Sequence, residues 1–286
     1  MRIRKIGIIT KPGQPEGAQV ASDLVSWCRG QGVEVLVLTT LASEIGQPER
    51  GVAEEALASE SELLVVIGGD GTLLAAARLL EGRPVPILAV NHGGLGFMTE
   101  VMLPELYPEL EKVLDGAFTI DRRVMLDAKL LRSGKTVGTH RGLNDVVINK
   151  GTLARIIELE ARVNDQYVST FRADGLIIAT PTGSTAYNMS AGGAIVHPDM
   201  SAILMTPICS HTLTNRPVVL PGDACVVVTL KSTSHDGVYM TVDGQVGVKM
   251  ATGDSLEVRS SSEEVLLVSP QGKNYFDVLR DKLKWG

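Results

Sequence analysis

Cysteine, aromatic residues and long apolar runs are all scarce in this chain. Three cysteines occur in 286 residues, Cys28, Cys209 and Cys225, far apart and with no CxxC pair. That scarcity argues against a disulfide framework and predicts a reducing, cytoplasmic compartment. The five histidines, His92, His140, His197, His211 and His235, share no spacing with the cysteines, which speaks against a protein-held zinc ion. No apolar stretch reaches the ~18 residues of a membrane-spanning helix, and Met1-Arg2-Ile3-Arg4-Lys5-Ile6-Gly7 has positive charge without the apolar segment of a leader. The expectation is an untargeted cytoplasmic protein with no membrane partner. A basic excess is missing too: 27 Lys and Arg stand against 33 Asp and Glu, a formal charge of -6. This disfavours a nucleic-acid partner while leaving room for a local phosphate pocket.

What is present is an ordinary globular composition, 44% hydrophobic and 21% charged, in a chain long enough for two domains. Over residues 1–120, near-continuous Val/Ile/Leu runs at Ile6 to Thr10, Val33 to Thr39, Leu63 to Ile67 and Val85 to Val90 alternate with helical patterns at Gln14 to Arg29, Thr72 to Leu80 and Pro104 to Leu114. Such alternation predicts an α/β domain with a parallel sheet covered on both faces. Over residues 121–271 the period changes to two. In Arg155 to Asn164, Ile157, Leu159, Ala161 and Val163 share one side of a strand, and further short strands follow at Val124 to Leu131, Leu176 to Thr180, Ala224 to Lys231, Gly237 to Asp243, Ser255 to Ser260 and Val265 to Ser269. The second domain is therefore expected to be β-rich, with a C-terminal helix over 272–286 packing back on the first.

Two phosphate-binding look-alikes fail. Gly134-Lys135-Thr136 lacks the glycine a P-loop needs five residues earlier, where Lys129 stands. Gly94-Leu95-Gly96 lacks the third glycine of GxGxxG, Thr99 standing there, so an ordinary Rossmann fold is not indicated. More telling is Gly68-Gly69-Asp70-Gly71-Thr72, placed where a buried strand gives way to a helix. Glycines there let backbone approach a ligand and adopt positive φ, and helix N-terminal amides attract phosphate. A carboxylate among them would repel phosphate unless it served another partner, such as a metal or an attacking hydroxyl. Asp70 could accept an alcohol proton while the amides of Gly71 and Thr72 hold the phosphoryl group. It could equally be a turn or N-cap residue.

This pentapeptide resembles the GGDGT signature of NAD kinases, of diacylglycerol and sphingosine kinases and, as a variant, of phosphofructokinases. Three further blocks, Asn91 to Glu100, Leu143 to Ile148 and Asp174 to Gly193, resemble NAD kinases specifically, in order and separation, over nearly the whole chain. The resemblance implies a two-domain NAD kinase-like fold and transfer of the γ-phosphoryl of ATP to the 2′-hydroxyl of the adenosine ribose of NAD, with a divalent cation, Mg in the first place, giving NADP and ADP. Asp70 is then the proton acceptor, Gly71 lies beside it, and Gly68, Gly69, Gly71 and Thr72 form the loop for ATP phosphates. Asn144 and Asp145 hold the adenosine side of NAD, although an Asx turn is the ordinary reading of such a pair. Asp174, Thr185, Ala186, Tyr187, Asn188, Met189 and Ser190 form the main NAD segment. Arg155 and Arg172 suit its phosphates or are solvated strand arginines, and Gln245 binds ligand or fills its Asp-Gly turn. His211 follows Ser210 where the family commonly has proline and is read as structural, while Leu95 and Phe97 are read as core. The resemblance also implies a homodimer or homotetramer. Two rivals stand: a GGDG-type lipid kinase, which keeps Asp70 but leaves the later blocks unexplained, and a non-catalytic NAD-sensing module.

Overall fold

Strands that are apolar on both faces need cover on both faces, and the first part of the chain supplies it with helices. The structure, a computed structural model, describes residues 2–285 apart from Leu95, 152–155, Leu213, 233–236 and 270–273. In chain order the first elements are β1 (Lys5–Thr10), α1 (Pro15–Gly30), β2 (Glu34–Leu38), α2 (Thr39–Glu44), β3 (Gly51–Val52), α3 (Glu54–Glu60), β4 (Leu63–Gly68), α4 (Asp70–Leu80), β5 (Ile87–Asn91), β6 (Val101–Met102) and α5 (Leu106–Leu114). All pairings among these strands are parallel, in the order β3-β2-β1-β4-β5, with β6 beside β5. Every residue of β4 is buried. Proline at the first turn opens α1, and its apolar stripe Ala21, Leu24, Val25 and Cys28, at i, i+3, i+4 and i+7, faces the core. Residues 73, 76, 77 and 80 of α4, two Leu and two Ala, repeat that spacing and are buried.

The strand order reverses between β1 and β4, so the sheet is doubly wound despite the missing fingerprint. The absent third glycine excluded the GxGxxG loop, not the topology. In such sheets ligands bind beyond the carboxyl ends of the strands, at the reversal. Asp70 lies there, one residue past Gly69 at the end of β4.

The remaining elements are β7 (Thr119–Arg132), β8 (Lys135–Gly142), β9 (Asp145–Lys150), β10 (Ile157–Val163), β11 (Gln166–Ala173), β12 (Gly175–Ala179), α6 (Tyr187–Ser190), β13 (Ala202–Ile208), β14 (Val218–Pro221), β15 (Val226–Ser232), β16 (Val238–Val242), β17 (Val246–Met250), β18 (Ser255–Ser269) and α7 (Tyr275–Leu283). A six-stranded antiparallel sheet runs β14-β13-β12-β9-β16-β17, and β11, β10, β15 and the start of β18 form another antiparallel set. Val146, Ile148, Leu176, Ile178 and Met240 of the former share a core with Ile157, Leu159, Ala161, Val228 and Val258 of the latter. Alternate residues of the six-stranded sheet, Val147, Ile177 and Leu204 among them, belong to a second apolar cluster on its other face. The chain divides into one unit of residues 1–122 with 265–286 and another of 123–264. The end of β18 belongs to the first unit, where Leu267 pairs with Ile87 of β5.

Candidate functional site

At the end of β4 the backbone stays extended through Gly69, the N-cap, and turns helical at Asp70, two residues before the start read from sequence. Asp70 is therefore not the cap, and its carboxylate does not bond the helix N-terminus. It reaches instead into the loop after β5. Phe97 N–H donates to Oδ2 at 2.9 Å, and Met98 N–H, Thr99 N–H and Thr99 Oγ1 donate to Oδ1 at 3.1, 3.2 and 3.2 Å. Thr99 Oγ1 accepts in turn from Asn91 Nδ2 at 2.8 Å, and Asn91 Oδ1 accepts from Gly93 N–H at 2.7 Å. Asn91 and Thr99 are buried, so this chain of bonds is shielded from water. Three of the four bonds share the two lone pairs of Oδ1. Among the described residues Oδ2 takes one bond, which leaves it a position for a hydroxyl.

The glycines divide their work differently from the sequence reading. None of Gly68, Gly69 and Gly71 has positive φ. A Cβ on Gly68 would strike the Thr72 side chain, so that glycine makes room for protein rather than phosphate. A Cβ on Gly69 or Gly71 would meet nothing within 4 Å, and these two border open space beside Asp70. The Thr72 amide, expected to hold a phosphoryl group, donates to Gly69 O at 2.9 Å. Gly96 is small for another reason: a Cβ there would run into the Asp70 carboxylate and Thr99 Oγ1. Phe97 is half-buried rather than core, with Lys282 Nζ of α7 5.3 Å from its ring centroid. Leu95 lies outside the described residues. A cavity of about 430 Å³ opens beside the start of α1, lined by Gln14, Gln19, Ser22 and Glu44 among others, and contains none of the residues read as site residues.

The second cluster belongs to the other unit. Leu143, Asn144 and Asp145 enter β9 in a buried turn whose three amides all donate to the Asp243 carboxylate, at 2.9, 2.7 and 3.1 Å. Thr180 at the end of β12 fastens the same turn from the other side: its hydroxyl donates to Leu143 O at 2.6 Å and accepts from Gly183 N–H at 3.0 Å. Gly183 packs so tightly that a Cβ would overlap the Asn144 carbonyl. Among the described residues Asn144 Oδ1, which is buried, has no hydrogen-bond partner, and Asp145 is 4% exposed. Burial, and then the charge of Asp243, push the Asp145 pKa up to about 7. An unpaired amide oxygen and a costly carboxyl side by side are what a polar ligand would relieve. Partial burial first, and then the charges of Cys209, Asp145 and Asp174, raise the pKa of the Tyr187 hydroxyl, while Asp145 lies opposite Ala179 at one end of the β9–β12 pair and Asp174 beside Lys150 at the other. Asp174 also pairs with Lys150 at 2.8 Å.

Other residues of the NAD segment face inward. Asn188 is fully buried, its amide donating to Ser184 O and Ala194 O at 3.1 and 3.0 Å and accepting from Thr206 Oγ1 at 2.7 Å, so its side chain holds the loop rather than a ligand. Thr185 Oγ1 is buried and donates to Thr182 O. The helix in this segment is the single turn α6, and the amides of Met189 and Ser190 donate to the O of its N-cap Ala186, whose own amide donates to Gly183 O. Tyr187 and Ser190 are exposed and Met189 half-exposed. Arg172 is exposed and lies opposite Glu158, 3.5 Å from its carboxylate, as a solvated strand arginine does. Arg155 lies outside the described residues. Gln245 is exposed and closes the β16–β17 turn through its N–H to Val242 O. His211 is exposed, its N–H donating to Arg172 O at 2.9 Å. The residues that sequence reasoning missed are Asp243, Thr180 and the pair Asn91 and Thr99. Three of them stand inside the quoted blocks, but only the fold shows what they hold.

Residues 6–118 match the family model of the ATP-NAD kinase N-terminal domain, and residues 143–269 that of the ATP-NAD kinase C-terminal domain. The NAD kinase of Citrifermentans bemidjiense is 49% identical over 286 residues, 99% of each chain, and that of Geobacter sulfurreducens 49% identical over 284 residues, again 99% of each. The crystal structure of yeast NADH kinase complexed with NADH superposes with a TM-score of 0.92 at 27% identity, covering 100% of this chain and 89% of its own. An NAD kinase from Archaeoglobus fulgidus in complex with ATP shares the fold, with a TM-score of 0.78 at 22% identity over 99% of this chain and 100% of its own. With both domain models matched and near-half identity along its full length, this chain belongs to the ATP-NAD kinase family.

Proposed function

We propose that this ATP-dependent phosphotransferase, which makes NADP from NAD, uses Asp70 to take the proton of the 2′-hydroxyl of the NAD adenosine ribose as that oxygen attacks the γ-phosphorus of ATP and ADP leaves. One observation carries this reading: four hydrogen bonds from the Phe97–Thr99 loop fix the Asp70 carboxylate while Oδ2 keeps an acceptor position beside Gly69 and Gly71, which border open space. Phosphoryl transfer asks a protein mainly for positioning and charge neutralisation. A fixed acceptor answers the first demand for the hydroxyl. Asn144 Oδ1 and the Asp145 carboxyl take the polar groups of the adenosine, and Asp174, at the opposite end of the β9–β12 pair, serves a more distant part of NAD.

Among the described residues no group of three or more His, Cys, Asp or Glu side chains is arranged to hold a metal ion. Mg²⁺ would arrive on the ATP phosphates, where it neutralises their charge. A cytoplasmic homodimer or homotetramer completes the reading, and sedimentation of the purified protein checks the assembly. The role of Asp70 is tested by Asp70→Asn, which fills the same space without a basic oxygen pair. Turnover should fall by roughly a hundredfold or more, as for loss of a positioned base; unchanged turnover would remove Asp70 from the reaction.

A further inference from the structure

Asp243 sits about a hundred residues from Asn144 and Asp145 in sequence, and as the first residue of an Asp-Gly pair it reads as turn chemistry alone. It does make the turn. Asp243 and Gly244 have φ of 51° and 64°, and Gln245 N–H bonds Val242 O at 2.9 Å, the pattern of a type I′ hairpin turn between β16 and β17. Its side chain does something a turn does not require. Oδ1 accepts from Asn144 and Asp145 N–H, Oδ2 accepts from Leu143 N–H, and the Asp243 N–H donates back to Asp145 O at 3.0 Å. Gly142, just before, is hemmed in by the same residue: a Cβ there would come within 3.1 Å of Asp243 Oδ1.

We infer that Asp243 is a positioning residue for NAD: by gathering three consecutive amides onto one carboxylate it sets the backbone of Leu143–Asp145 and thereby aims the Asn144 amide and the Asp145 carboxyl at the adenosine. The inference rests on the proposed role of Asn144 and Asp145. Its charge has a second effect, since it faces Asp145 from the β16–β17 turn, while Tyr187 faces it from the start of α6. Without that charge Asp145 would ionise at lower pH, and an ionised carboxylate is the better acceptor for ribose hydroxyls.

The discriminating variant is Asp243→Asn. Asn-Gly serves a type I′ turn as well as Asp-Gly does, so a residue needed only for the turn would be replaced without loss. As a clamp, asparagine keeps one acceptor oxygen and sets an N–H₂ donor against one of the three amides. The expected result is an NAD dissociation constant, by calorimetry, raised about tenfold, the effect of one lost charge-assisted bond, with kcat and the ATP KM within about threefold. The pH midpoint of NAD affinity should also move down. An NAD affinity within about twofold of the parent and an unmoved midpoint would overturn the inference. Should Asp243→Asn fail to fold, Asp243→Ser is read in the same assay by the same criteria. Asp145→Ala separates the two levels: if it leaves NAD affinity intact the underlying reading fails, and if it weakens NAD while Asp243→Asn does not, the inference alone fails.

Discussion

Burying the Asp145 carboxyl beside Asp243 raises its pKa to about 7, and the sign of the consequence for stability follows from that direction. A carboxyl whose folded pKa lies above its unfolded value favours the fold fully below the unfolded value and loses that contribution as pH rises through the folded one. Each unit of difference is worth about 1.4 kcal/mol. Asp145→Asn removes the dependence, so its melting temperature relative to the parent should climb between pH 5 and pH 8, while its NAD affinity falls at both. A gap that stays constant with pH would contradict the burial argument. A buried carboxyl that costs the fold stability is a candidate binding residue. Asp70 was legible in the sequence because glycines on both sides are a local signal. Asn188 and Asp243 were not: a polar residue in a loop motif looks the same whether it faces ligand or satisfies buried backbone, and a contact across a hundred residues leaves no local trace.

Elements were legible where burial leaves a plain local pattern, and β13, buried over its whole length but broken by Met205, Thr206 and Pro207, was missed. β1 and β4 announce themselves as unbroken Val/Ile/Leu runs because both faces are covered. α2 and α3 bury two residues each, too few for a helical stripe, and were missed. β18 was read as two strands because its middle, Ser260 to Glu264, is polar and at least partly exposed, yet the strand continues through it. Element geometry also predicts which loop glycines matter. Gly96→Ala would push a methyl into the Asp70 carboxylate, whereas Gly94→Ala meets open space. Turnover should fall at least about tenfold in Gly96→Ala, with NAD binding retained, because misplacement of a reacting group costs rate. Gly94→Ala should stay close to the parent, and equal losses in the two variants would count against a positioned Asp70. Likewise Gly183→Ala should destabilise the second unit by about 2 kcal/mol or more, as overpacking does, and weaken NAD by displacing Asn144; a thermal melt read beside calorimetry checks both.

For the whole molecule, the first half was readable as parallel α/β from apolar runs alternating with helical patterns, and the second as β-rich from strands buried on one face such as β10 and β15. By contrast, β12 and β13 of its six-stranded sheet are buried on both faces and show no period of two. The strand order β3-β2-β1-β4-β5 was not readable, since no short motif encodes which strands lie side by side. The reaction likewise needed the full set of blocks, as Gly68 to Thr72 alone is shared among kinases with different acceptors. The resulting account assigns turnover to a carboxylate in the first unit and NAD affinity to the Leu143–Asp145 turn in the second. Its most direct test is the NAD dissociation constant of the Asp70→Asn protein, measured by calorimetry beside its turnover. The account predicts an affinity within about threefold of the parent in a protein whose kcat has dropped by about a hundredfold or more. NAD binding lost in step with turnover, or turnover left intact, would contradict it.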